Sequence, residues 1–168
     1  MVPVSSIRSA PLIVGWQEWV ALPTLGLAAI KAKNDTGAKT SALHAETIEI
    51  AREGRLEVVR FTICPAPKRP DLLIACEAPL ADLRGVTSSN GRLERRPVIH
   101  ALVDCGSGAK RIEITLTDRG SMSYRMLIGR QALTALGLVV DPALSFQLPK
   151  LSFKLYPGWS RRRAGARA

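Results

Sequence analysis

The chain has 168 residues, 46% of them hydrophobic, and a formal net charge of +10, enough length for one domain with a real core. No apolar run approaches the roughly 20 residues of a membrane span, and a start broken by Pro3, Ser5, Ser6 and Arg8 lacks the apolar stretch of a signal peptide, so a cytoplasmic protein is expected. Cys64, Cys76 and Cys105 are unclustered and no CxxC or HExxH occurs, so nothing supports a disulfide framework or a zinc site, and the cysteines read as buried thiols. Residues 1–12 read as an N-terminal extension. Residues 16–22 and 27–33 are short strands, split by the turn Pro23-Thr24-Leu25-Gly26. Residues 43–50 alternate as one strand and 56–63 follow, joined through Arg52-Glu53-Gly54, where Gly supplies a positive φ. Residues 65–70 form a loop and 72–76 a short strand. Residues 86–89 and 93–103 flank Asn90-Gly91, the strongest hairpin dipeptide in the chain. Residues 111–117 pair back after the Gly106-Ser107-Gly108 turn. Residues 130–136 are the one convincing helix, stopped by Gly137. Residues 145–155 read as a closing strand, confined to an edge or bend by Pro149. Residues 158–168, with Arg161, Arg162, Arg163 and Arg167, read as a basic disordered tail.

Many short strands with Gly and Pro turns predict an all-β barrel or sandwich. The body stays basic without its arginine tail, which favours an anionic partner: nucleic acid, ribosome or acidic peptide.

The stretch Asn34-Asp35-Thr36-Gly37-Ala38-Lys39-Thr40-Ser41-Ala42 carries the most chemistry. Asp35 offers a carboxylate at the end of an apolar strand. Gly37 allows close backbone approach, and the Thr36 hydroxyl can bond to a second loop. Alone, the triplet also fits an ordinary Asx turn. Downstream stands Met126-Leu127-Ile128-Gly129-Arg130-Gln131-Ala132-Leu133. This pair of signals resembles the retropepsin-like aspartic proteases. Three further stretches are similar to the RimK-associated branch of that family, often described as ATP-dependent zinc proteases: Gly15-Trp16-Gln17-Glu18-Trp19-Val20-Ala21-Leu22-Pro23, the continuation Leu43-His44-Ala45, and Val86-Thr87-Ser88-Ser89-Asn90-Gly91. The resemblance covers roughly residues 13 to 142 and is specific through its motifs together.

The resemblance implies a closed retropepsin-like β-barrel over residues 13–157, with one short helix near the C-terminal end, active as a two-fold homodimer. Each chain holds one triplet and no internal repeat, so each would supply half of a site. Catalysis would rest on Asp35, Thr36 and Gly37. Two carboxyls about 3 Å apart share one proton, because both cannot be charged at that distance. The charged one takes a proton from a water, the water attacks the peptide carbonyl, and the protonated one stabilises the developing charge. No cofactor or metal is required. A member of the branch acts on the glutamate tails that an ATP-grasp ligase adds to a small-subunit ribosomal protein, so an acidic peptide substrate and a functional link to such a ligase are expected.

Substrate contacts are expected from Ala38 and Lys39 in the loop, and from Ser89, Asn90 and Gly91 at the tip of a hairpin that would act as a flap. Arg92 and Arg96 would pair substrate carboxylates, if no bulge separates their faces. One departure concerns Asn34. The residue before the catalytic Asp is usually apolar, and an amide there must find hydrogen bonds or carry a desolvation penalty of roughly 1–3 kcal/mol. His44 and His100 read as structural histidines, and Trp16 and Trp19 as core and interface. Two alternatives stand beside this reading. One is a non-catalytic basic β-barrel on RNA or the ribosome, which lacks an aromatic stacking platform. The other is a metallopeptidase, which lacks ligand spacing.

Overall fold

The computed structural model describes residues 10–87, 90–118 and 123–160. Their strands are β1 (Leu12–Val14), β2 (Gln17–Leu22), β3 (Leu27–Asp35), β4 (Ser41–His44), β5 (Thr47–Glu53), β6 (Leu56–Ile63), β7 (Ile74–Pro79), β8 (Asp82–Thr87), β9 (Leu93–Asp104), β10 (Ala109–Thr117), β11 (Met126–Gly129) and β12 (Leu138–Val140), with one helix, α1 (Arg130–Ala135). The main sheet runs β10-β4-β11-β3-β2-β9-β8, and β10 also pairs with β9. Six strands therefore close on themselves, and β8 extends the wall beyond β9. Closure satisfies strand edges that would otherwise be open to other chains. The hairpin β5-β6 and strand β7 form a separate three-stranded sheet, and β1 lies parallel to β12. The all-β barrel with a single short helix is as the sequence predicts.

Alternation along β3 shows why this segment is a barrel stave. Ile30, Ala32 and Asn34 point inward and are buried, while Lys31 and Lys33 stand outside. Leu22, Leu27, Ile30, Leu43, Phe61, Ile99, Ile114, Leu116, Met126 and Ile128 fill the centre. A second, smaller cluster packs on the outer wall around Trp19, Ala29, Leu72 and Tyr156. The Tyr156 hydroxyl accepts from Ala29 N at 3.1 Å and donates to Ala29 O at 2.7 Å, and burial pushes its pKa up to about 12. The three cysteines are free and buried.

The predicted turns fall where Gly is needed: Gly26, Gly54 and Gly91 have φ of 70°, 63° and 81°. Gly137, at φ 67°, follows the helix as expected.

Three expectations differ. Residues 43–50 are not one strand. β4 ends at His44, and β5 starts at Thr47 in another sheet, because Ala45 N turns to Thr117 O and Glu46 N to Thr62 O. Residues 145–155 are not a strand. Phe146 sits at φ 53°, and the backbone N–H groups of Gln147 and Leu148 turn to the Glu18 carboxylate instead of a ladder. His100 is exposed and lies 4.0 Å from Glu113, so it is not a buried structural residue, whereas His44 is buried. The pair β1–β12 had no signal beyond two short apolar runs. Trp159, placed in the tail by composition, packs against Phe153, and its carbonyl accepts from Arg69 Nη1 at 2.9 Å. The remainder of the arginine tail and residues 1–9 lie outside the described residues.

Candidate active site

Asp35 is the last residue of β3, opposite Gly129 of β11 in a parallel register. The chain turns sharply after it. Asp35 Oδ1 accepts from Gly37 N at 3.0 Å and Ala38 N at 3.2 Å. Two short N–H bonds to one oxygen fix the carboxylate plane, and among the described residues the other oxygen accepts none. A Cβ on Gly37 would stand 3.2 Å from Oδ1, so Gly keeps that oxygen uncrowded. Thr36, Gly37 and Lys39 are exposed, and Ala38 and Asp35 are partly buried. The loop thus offers its carboxylate and a free hydroxyl at the surface of a rigid barrel end.

The β11-α1 junction clasps the loop. Arg130 N donates to Ala38 O at 2.8 Å and Arg130 Nη1 to Gly37 O at 3.2 Å. Gly129 N donates to Ser41 Oγ at 3.1 Å. A Cβ on Gly129 would lie 2.6 Å from the Thr40 carbonyl carbon and oxygen, and 3.0 Å from Ala38 O. Only a glycine admits this approach. The sequence signal for this role of Arg130 is the Gly-Arg pair after two apolar residues, which sequence reasoning reads as family pattern and not as part of the site.

Beneath the loop, Asn34 is buried. Its Nδ2 donates to Gly15 O at 2.8 Å, and its backbone N to Trp16 O at 2.9 Å. Its Oδ1 has no partner among the described residues. The amide is therefore half satisfied, and ties β3 to the β1-β2 corner. Gly15 sits tightly there: a Cβ would come 2.3 Å from Leu144 O. Glu18, which sequence reasoning missed, is the anchor of that corner. Fully buried, it accepts from Gly15 N and Gln147 N through Oε2 and from Leu148 N through Oε1, each at 2.8 Å. Glu18→Ala should strand three N–H groups, those of Gly15 and Leu148 buried and that of Gln147 partly so, at roughly 1–3 kcal/mol for each buried one, before partial relaxation. We expect about 3–5 kcal/mol of lost stability, read from the denaturant midpoint. A loss below about 1 kcal/mol would show that the corner is held otherwise.

The remaining predicted residues lie elsewhere. Asn90, Gly91 and Arg92 are exposed at the tip of the β8-β9 hairpin, whose register is regular from Asp82–Val98 to Thr87–Leu93. In the main sheet β2 and β9 stand between this hairpin's free strand and β3. Ser89 lies outside the described residues. Arg96 shows no bulge-induced flip, but it is buried, holds Glu94 at 3.2 Å, and lines a cleft with Ile48, Leu83 and Asp118. In the single chain it does not join the Asp35 loop.

His44 Nδ1 has no partner among the described residues, and Nε2 is 3.5 Å from Glu46. Burial first, then the charge of Arg125, holds its pKa below the ordinary histidine value. Among the described residues no group of three or more His, Cys, Asp and Glu side chains could hold a metal, and no helix is long and apolar enough to cross a membrane.

A closed all-β barrel that presents an Asp-Thr-Gly loop against a Gly-Arg junction defines a retropepsin-like protein. The sequence matches the profile of the RimB-like family, described as the retropepsin-like aspartic endopeptidase RimB, over residues 13–150, and the chain belongs to that family. A Shewanella halifaxensis protein named "Probable alpha-L-glutamate ligase" is 44% identical over 137 residues, which is 81% of this chain and 30% of that protein. A Parasynechococcus marenigrum protein of the same name is 41% identical over 140 residues, again 30% of its own length. The chain thus spans under a third of the length of these curated relatives. The crystal structure of a Legionella pneumophila protein of unknown function is similar at a TM-score of 0.69 and 29% identity, covering 83% of this chain and 98% of that one.

Proposed function

We propose that this protein is an aspartic endopeptidase that works as a homodimer in the cytoplasm, with one Asp35 from each chain, and trims glutamate-rich tails such as those of a ribosomal protein. The observation that carries the reading is the Asp35 carboxylate, held through one oxygen by two N–H groups on an exposed loop that occurs once per chain. A lone carboxylate of that kind lacks the second acid that hydrolysis by a carboxyl dyad needs. A second copy supplies it across a two-fold axis, where Thr36 of each loop is free to bond to the other. With one proton between the pair, the charged Asp35 activates a water and the protonated one stabilises the tetrahedral oxygen.

The substrate class is supported by two things. The chain carries a net charge of +10, and its relatives of greater length bear the name of a glutamate ligase. Enzymes that add and remove the same chain are natural partners, which is the proposed link to an ATP-grasp ligase.

The test is a peptidase assay on a glutamate-rich peptide and a neutral one of equal length. The acidic peptide should be cleaved faster, with the preference fading as salt rises, because exposed charges are screened over about 8–10 Å at physiological ionic strength. Equal rates at low salt would remove the glutamate assignment and keep only a general peptidase. Diluting the enzyme should lower activity per chain, in step with loss of the dimer by sedimentation. Constant specific activity from a monomer would overturn the shared site.

A further inference from the structure

The outer face of β3 leads from Asp35 into a cleft of about 350 Å³. Lys31 of β3, Lys68 in the turn after β6, and Tyr124 and Arg125 just before β11 line it, with Phe153 and Trp159 from the C-terminal segment. Three cations and no carboxylate face this space. Three other clefts carry acids: Glu94 and Asp118 in one, Glu49 and Glu77 in another, Glu113 in a third.

The cations differ in how far they are engaged. Arg125 donates Nε to Cys64 O at 3.1 Å and stands 3.8 Å from Glu46. The neighbouring Arg69 pairs with Asp71 and stacks on Trp159 at 4.9 Å. Lys31 and Lys68 are exposed and have no ion pair among the described residues. Lys31 Nζ lies 5.3 Å from the Trp19 ring centroid and 5.8 Å from that of Phe146, so ring faces hold its ammonium without neutralising it.

Position links this cleft to the loop. Lys31, Lys33 and Asp35 alternate with the buried Ile30, Ala32 and Asn34, so the two lysines and the carboxylate share one face. Four residues of strand span about 13 Å, the reach of three or four residues of an extended peptide.

The geometry points to this cleft as an accessory carboxylate subsite, in which Lys31 and Lys68 pair acidic side chains of a peptide that also reaches Asp35; the inference rests on the peptidase reading for its substrate. Two lone ammoniums suit flexible carboxylates as point charges. The aromatic walls suit the methylene stems of glutamate. They do not suit stacked bases, because Arg69 covers Trp159 and Phe153 packs edge-on to Trp19.

The experiment measures binding of fluorescein-labelled oligoglutamate to Asp35→Asn protein at low salt, where cleavage cannot intervene. Lys31→Glu with Lys68→Glu should weaken binding at least about tenfold, and should raise KM by a similar factor in protein that keeps Asp35. Arg52→Glu with Arg55→Glu changes net charge equally on the β5-β6 hairpin, outside the cleft, and should shift the Kd no more than about twofold. Equal losses from both pairs would overturn the subsite in favour of bulk charge. Displacement of the peptide by a single-stranded oligonucleotide at lower concentration would overturn it in favour of nucleic acid. Cleavage of the peptide with Kd and KM unmoved by the lysine changes would sink the subsite and leave the peptidase. Binding through the cleft with no cleavage by the native protein would sink the peptidase and leave the subsite.

Discussion

Asp35→Asn should abolish peptide hydrolysis while leaving the barrel folded. The asparagine oxygen keeps the two N–H bonds that Gly37 and Ala38 give to Oδ1, at 3.0 and 3.2 Å, so the turn retains its shape. An amide cannot take a proton from water. In a symmetric dimer the substitution removes both carboxyls at once, so no half-site survives. The rate should fall by at least about a thousandfold, within the range of general-base contributions. The denaturation midpoint should barely move. Dialysis against a chelator should leave the native rate unchanged, because the proposed mechanism activates water with a carboxyl pair. Loss of activity in chelator and its return with zinc would defeat the aspartic mechanism, and residual hydrolysis within tenfold of native would defeat the role of Asp35.

Gly129→Ala should damage both stability and catalysis through the backbone of the Asp35 loop that it packs against. Gly129 has φ −81° and ψ 169°, which alanine adopts freely, so the effect comes from contact and not from backbone strain. The new methyl would meet the Thr40 carbonyl at 2.6 Å and Ala38 O at 3.0 Å. Those are backbone atoms of the Asp35 loop and cannot rotate away. Overpacking of this kind costs about 1–3 kcal/mol. The loop must shift to relieve it, and shifting Ala38 displaces an N–H that holds the carboxylate. Activity should drop about a hundredfold, since misplacement of order 1 Å has that effect. Gly137→Ala is the matched comparison. It has φ 67° with nothing near a new Cβ, so it should lower stability by about 1 kcal/mol and leave kcat alone. If both glycine variants lose activity equally, the close-packing argument fails.

The parts of this molecule that were legible in its sequence are those decided locally. The turn at Gly54, the hairpin at Asn90-Gly91 and the helix ended by Gly137 each rest on a few adjacent residues. So does the Asx-type turn after Asp35, whose acceptor and donors lie within three positions. The unread parts are decided at a distance. Pro149 marks residues 145–155 for an edge or bend, but nothing near them says that they will abandon strand pairing altogether. The reason is the Glu18 carboxylate, 129 positions from Gln147 in the chain. Alternation places Arg96 on a face but does not show that its own neighbour Glu94 and the wall of β5 enclose it. The cations of the cleft come from three separate segments, so no window of sequence could display them together. Asn34 was an intermediate case. Its need for a partner was readable, but the Gly15 carbonyl that answers it was not.

The union of the Asp35 loop with the β11-α1 junction also orders events in time. Ser41 and Gly129 are 88 positions apart, and Gly37 and Arg130 are 93 apart. Closing such long segments is slow compared with forming the local hairpins β5-β6 and β8-β9. A chain leaving the ribosome N-terminus first displays Asp35 early, but its clasp emerges only when most of the barrel has been made. The Asp35 loop therefore stays without its clasp until Gly129 and Arg130 have been made. On the proposed activity, the peptidase would form only once the β11-α1 junction has emerged, and would spare acidic tails near it until then.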